Sequence, residues 1–172
     1  MFFLPLFDEI ATSRRPVIVL MLMAACITIF FWQQSLDDIP GRLAVYQFGF
    51  VPTMVFQGDK LPTELIQVPA WATLITSMFL HGGWLHLGGN MLYLWIFGDN
   101  VEEAMGWRRF ILFYLLCGVA AALAQAAINP SSAIPMIGAS GGIAGVLGSY
   151  LMLHPKAAVR CLIVILIFFR FI

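Results

Sequence analysis

The sequence predicts an all-α fold, a polytopic bundle of helices that takes a lipid bilayer as its solvent. Three observations carry that expectation. Of the 172 residues, 61% are hydrophobic and only 10% are charged, whereas soluble domains carry about 25% charged residues. The mean hydropathy is +0.91. The apolar residues also gather into runs close to the roughly 20 residues that a helix needs to cross about 30 Å of hydrocarbon. Nine basic residues balance nine acidic ones, so the net charge is zero and no nucleic-acid partner is expected.

Four runs read as spanning helices: residues 17–36, residues 84 to about 101, residues 110–128 and residues 140–153. The first follows Arg14-Arg15 as a secretory signal would, but Gln33-Gln34-Ser35-Leu36-Asp37-Asp38 offers no small-residue cleavage site, so the helix is read as retained. A last apolar run, residues 159–172, amounts to about 21 Å of helix and is either the start of a fifth span or a segment lying at the interface. It stops within Ile167-Phe168-Phe169-Arg170-Phe171-Ile172. That ending suggests a fragment or a truncated reading frame, so residues 1–172 are expected to form one membrane domain, incomplete at the C-terminus.

Arg14, Arg15, Arg108, Arg109, Lys156 and Arg160 flank one set of helix ends, against Arg42 and Lys60 on the other. The positive-inside rule then puts the N-terminus in the cytoplasm. Residues 37–70 contain Pro40, Pro52, Pro62 and Pro69 among apolar pieces such as Val45-Tyr46-Gln47-Phe48-Gly49-Phe50. This composition suggests an outer loop that is partly embedded and packs against the helix tops. Cys26, Cys117 and Cys161 sit in apolar runs, and their odd number argues for space filling over a disulfide framework.

Polar side chains at membrane depth mark function by default, and those that stand out fall on two helices. His86 and Asn90 are four apart, hence on one face of the second span, and His81 lies just before them. Ser140 opens the fourth span, at the same outer level. Gly138/Gly142 and Gly141/Gly145 have the small-xxx-small spacing that lets membrane helices approach closely. The fourth helix, about 21 Å long, can begin below the membrane surface and leave Ser140 in a cavity open to water.

Simpler roles stand beside these. A serine at a helix start is commonly an N-cap, and His86 with Asn90 can serve as an interhelical hydrogen-bond pair for stability alone. Gly138-Ala139-Ser140-Gly141-Gly142 matches the nucleophile elbow of soluble hydrolases, but that motif needs a strand before the serine. His81 and His86 lack a third ligand for a metal. Asp99 lies at the opposite end of its span, without a partner Asp on another, so an aspartyl-protease pair is not expected.

Taken together, the motifs are more specific. Phe79-Leu80-His81-Gly82-Gly83-Trp84-Leu85-His86-Leu87-Gly88-Gly89-Asn90-Met91-Leu92 resembles the second transmembrane helix of rhomboid intramembrane serine proteases. Phe97-Gly98-Asp99-Asn100-Val101-Glu102-Glu103-Ala104-Met105-Gly106 looks like the end of that helix, with Glu102 at the family's acidic position. Gly138-Ala139-Ser140-Gly141 is similar to the family's Gly-x-Ser-Gly nucleophile motif, and the order and spacing fit over about residues 14–172.

The resemblance implies that Ser140 is the nucleophile, and that His86, Asn90 and the Ser140 backbone N–H hydrogen-bond the oxyanion. His81, Gly138 and Gly141 would support them. Glu102 would be structural, satisfying the loop near Arg108 and Arg109. The resemblance further implies an endopeptidase without cofactor or metal, in a bacterial cytoplasmic membrane, with its site facing outward. Its partners would be single-span membrane proteins with a locally unstable helix. One departure stands against it. The family's base is a histidine on a later helix, and nothing here matches. His154, the remaining histidine, is 14 residues past Ser140 on the same helix, about 21 Å away. The chain alone is therefore expected to show little or no proteolysis. The alternative is a non-catalytic rhomboid-like protein that binds transmembrane helices, although such a binder has no need of an oxyanion site. A channel or transporter fits poorly, since the polar groups gather at one end.

Overall fold

Four of the apolar runs fold as helices, and Gly106 stands between two of them. The computed structural model describes residues 2–58 and 67–164. Strand β1 (Phe2–Asp8) leads into α1 (Val17–Ser35), the shorter α2 (Asp38–Phe48) and α3 (Pro52–Phe56), and α4 (Thr73–Thr76). The long α5 (Trp84–Met105) and α6 (Trp107–Ile128) follow, then α7 (Ser140–Leu153) and strand β2 (Val159–Val164). The structure is mostly helical. Among the described residues two helices are long and apolar enough to cross a membrane, α1 with hydropathy 2.0 and α6 with 2.2. α5 has the length, but carries Asp99, Glu102 and Glu103 near its end, and α7 has only 14 residues.

α5 is the centre of the bundle. Its buried Leu87, Met91, Leu94, Phe97 and Val101 pack with Ile18, Val19, Leu22, Cys26 and Phe30 of α1, and with Phe110, Tyr114, Ile143, Val146 and Tyr150 of α6 and α7. Val19 presses so closely on Gly98 that a Cβ there would lie 2.7 Å from its Cγ2. A single residue, Gly106, separates α5 from α6. Its φ of +77° with ψ of 150° is a backbone conformation open essentially to glycine, and it lets the chain leave one helix and start the next.

The structure changes three expectations. Glu102 does not serve the loop at Arg108 and Arg109. Its carboxylate oxygens accept hydrogen bonds from the backbone N–H groups of Ile18 and Val19, at 3.0 and 2.9 Å. The first N–H groups of a helix have no internal partner, so a buried carboxylate from α5 caps α1, and α5 runs one turn beyond the expected end near Val101. Second, the fold is not purely α-helical. Phe2–Asp8 and Val159–Val164 form an antiparallel two-stranded sheet, with a register shift between Pro5 and Phe7. The apolar run expected as a fifth span or interfacial segment thus begins as a strand rich in β-branched residues. Residues 165–172 lie outside those described. Third, the segment 37–70, expected as a loop, carries α2 and α3, and residues 59–66 of it lie outside those described.

Replacing Glu102 by Ala leaves two buried N–H groups without a partner, a loss of about 2 kcal/mol. Denaturation of the variant in detergent micelles should show that loss, and an unchanged midpoint would mean that the cap does not hold α1.

Candidate functional site

The site is built where the starts of α5 and α7 meet. α7 comes close to α6 because its inner face is glycine. A Cβ at Gly142 would lie 2.7 Å from the Tyr114 ring, and one at Gly141 2.8 Å from Ala121, while Gly145 rests against Cys117. The loop before α7 is fixed by backbone bonds, with Gly138 N–H donating to the Ser77 carbonyl at 2.9 Å and Met136 paired with Phe50. Gly138 has φ +121° and its α-carbon faces His86. A Cβ there would lie 2.7 Å from His86 Nε2 and Cε1, and 3.8 Å from Asn90 Nδ2. Gly138, two residues before Ser140, therefore leans on the polar face of α5.

Ser140 is the exposed first residue of α7. Together with His86, Asn90, Tyr93 and Ala144 it lines an open cavity of about 340 Å³. Gly82 N–H donates to His86 Nδ1 at 3.3 Å. In the neutral ring the other nitrogen then carries the proton, so the donor Nε2–H is the one beside Gly138. Asn90 is buried, and its Nδ2 has no hydrogen-bond partner among the described residues. The two residues that carry these N–H donors, His86 and Asn90, both line the cavity that holds the serine.

His81 stands behind them, 2% exposed, its ring 5.2 Å from that of His86 in edge contact. Its backbone N–H donates to Gln33 Oε1 at 3.0 Å and its Nδ1 meets the Phe79 carbonyl at 3.2 Å, which ties the end of α1 to the start of α5. His81 lies in the connection before α5. Burial pushes its pKa down from 6.5 to about 4; the neighbouring His86 adds to this and the bond to Phe79 opposes it. Asp99 is at the other end of α5, where it accepts hydrogen bonds from Thr12 and the Asn100 N–H. Cys26 is buried in the core, Cys117 half-buried and Cys161 exposed, all as free thiols.

A second cavity, of about 220 Å³, opens on the other side of Ser140 and brings in two polar residues that sequence reasoning missed, Ser77 and Gln125. Polar groups thus occupy a third long helix as well as the two expected. Gln125 is the lone amide in the apolar α6, and that isolation was the available signal. His154 follows the last residue of α7, at the opposite end from Ser140.

The fold and the site, together with the family that the sequence matches, define an integral membrane protein in which a serine, a histidine and an asparagine line one cavity at one end of an apolar helical bundle. The chain belongs to the rhomboid family: the family model for the Rhomboid domain matches residues 68–172. It is 40% identical over 99 residues to Rhomboid protease GluP of Bacillus subtilis (strain 168), covering 58% of this chain and 19% of that protein. It is 35% identical over 104 residues to Rhomboid-like protein 11, chloroplastic, of Arabidopsis thaliana, covering 60% and 37%. Identity to Rhomboid protein 1, mitochondrial, of Saccharomyces cerevisiae is 34% over 110 residues, covering 62% and 30%. The chain spans less than two fifths of the length of each.

Gly138→Ala forces a side chain into the His86 ring from a left-handed backbone, and should cost about 1–3 kcal/mol. Gly148, with no atom within 4 Å of its would-be Cβ, should accept Ala with no loss or a gain of up to about 1 kcal/mol. Equal unfolding midpoints for the two variants would overturn this account of the α5–α7 contact. His81 gives a pH prediction. Its folded pKa lies below its unfolded value, so the stability it contributes is whole above pH 6.5 and declines as the pH falls toward 4. Unfolding midpoints measured across that window should fall for the native chain and flatten in His81→Gln.

Proposed function

We propose that this chain carries the nucleophile and oxyanion parts of a rhomboid-type serine endopeptidase, which hydrolyses peptide bonds of transmembrane substrates near the outer membrane surface. The observation that supports it most is Gly138 packed on His86 beside the unpartnered Asn90 Nδ2, at the mouth of the helix that Ser140 opens. In this reading α5 and α7 also cross the bilayer, which gives four spans, with the N-terminus in the cytoplasm. Residues 37–70 form a partly embedded outer loop within a single domain. The substrates are single-span membrane proteins with a locally unstable helix.

Ser140 Oγ attacks the scissile carbonyl carbon, and the carbonyl oxygen takes the negative charge of the tetrahedral intermediate. His86 Nε2–H, Asn90 Nδ2–H and the Ser140 backbone N–H, a free donor at the helix start, hydrogen-bond that oxygen. In a site shielded from bulk water each such donor is worth about 3 kcal/mol. His81 and Gln33 hold the entry to α5 in place, while Gly138 and Gly141 let the chain close around the serine. A general base must reach Ser140 within about 3 Å. His86 is engaged as an oxyanion donor, and His154 lies the length of α7 away, about 21 Å. These residues therefore do not by themselves supply the base.

The test is cleavage of a reporter membrane protein by this chain in proteoliposomes, with Ser140→Ala as control. Little or no turnover is expected from either. Turnover by the native chain that vanishes in Ser140→Ala would show that a base is present within it and would overturn that part of the proposal. Extended at its C-terminus to supply a histidine, the chain should cleave. Asn90→Ala should then lower kcat roughly 100-fold or more, and an unchanged kcat would remove Asn90 from the oxyanion site.

A further inference from the structure

The N-terminal segment carries a row of polar tethers at the end of the bundle opposite Ser140. Asp8 Oδ2 accepts a hydrogen bond from the Tyr150 hydroxyl at 2.7 Å and another from Asn100 Nδ2 at 3.0 Å. The two donors stand on different helices, Tyr150 on α7 and Asn100 on α5, and both residues are buried. Farther along, Thr12 donates to Asp99 at 3.2 Å, and the N–H and hydroxyl of Ser13 donate to Glu103 at 3.0 and 2.5 Å. Asp8 closes β1 opposite Val159, the first residue of β2, and β2 follows α7 after a short turn. The segment thus crosses the ends of α5 and α7 and is bonded to both.

These two helices carry the candidate site at their other ends. α5 bears His86 and Asn90, and α7 bears Ser140. Hydrogen bonds to a carboxylate are stronger than those between neutral groups. If the helices part at this end, the Asp8 carboxylate can follow only one of its two donors; Asn100 Nδ2 keeps a second bond to Asp99 Oδ1 at 3.0 Å, so the buried Tyr150 hydroxyl is the group left without its acceptor, which opposes the separation.

We infer that Asp8 is a positioning residue: by joining Asn100 to Tyr150 through one carboxylate oxygen, it sets the spacing of α5 and α7 and hence the fit of Gly138 against His86. The leverage runs along α7 over the ten residues from Tyr150 to Ser140, about 15 Å of helix. The functional meaning of that fit rests on the proposed role of the Ser140 cluster; the fit itself does not.

Hydrogen exchange read by mass spectrometry on the full chain in lipid nanodiscs tests it without any need for catalysis. In Asp8→Ala, amides of residues 84–92 and 140–147 should exchange roughly tenfold faster, while those in the middle of α1 keep their protection. Asp8→Ala combined with Tyr150→Phe should be little worse than Asp8→Ala alone, because both remove the same bond. If Asp8→Ala does not fold, Tyr150→Phe, which removes one tether and leaves β1 untouched, carries the same expectation. Faster exchange spread evenly over α1, α5, α6 and α7 would mean general destabilisation and overturn the inference. So would an increase confined to residues 2–13, which would make Asp8 an anchor for the strand alone. A failure of the protease reading would leave the expected exchange pattern unchanged.

Discussion

The architecture depends on how closely α7 can approach its neighbours. Between helices in lipid there is no hydrophobic driving force of the kind that folds soluble proteins, because the acyl chains are as apolar as leucine. Contact has to come from short-range packing, and α7 achieves it by presenting Gly141, Gly142 and Gly145 to Ala121, Tyr114 and Cys117 of α6. With α7 drawn in on that side, its entry loop meets α5 on the other. Gly138 has no side chain to hold it off the His86 ring. The position of Ser140 follows from these contacts.

Polar groups then sort to the two ends of the bundle. At one end Glu102 caps α1, and Asp8 joins Asn100 to Tyr150. At the other, Gln33 and His81 bind each other while His86 accepts from Gly82. Between them the core is almost wholly apolar. A carboxylate or amide in a low-dielectric interior must find a partner or remain costly, and almost all of these groups do find one. Among the described residues His81 Nε2, Asn90 Nδ2 and the Tyr114 hydroxyl are the exceptions, and the first two belong to the candidate site.

Much of this was legible in the sequence. The apolar runs marked the long helices because only a helix can satisfy its own backbone in lipid. The four-residue spacing of His86 and Asn90 placed them on one face, and the glycines around Ser140 foretold close approach. Less legible were the contacts that join distant segments. Glu102 looked like a partner for nearby arginines, yet its carboxylate serves residues 84 and 83 positions earlier. Gln125 drew no notice as a single amide, because what makes it part of the site is the shape of a cavity closed by loops from elsewhere in the chain.

By itself the sequence determined the membrane class, the long helices, the rhomboid motifs and which polar residues stand out, because composition and periodicity are local properties of the chain. The tertiary structure alone decided that Gly138 rests on His86, that Asn90 Nδ2 has no partner among the described residues, and that the two ends of the described chain pair as a sheet bonded to α5 and α7. Each of these is a contact between segments far apart in sequence. Such a contact exists only when helix packing brings the segments together, and no local pattern encodes the distance.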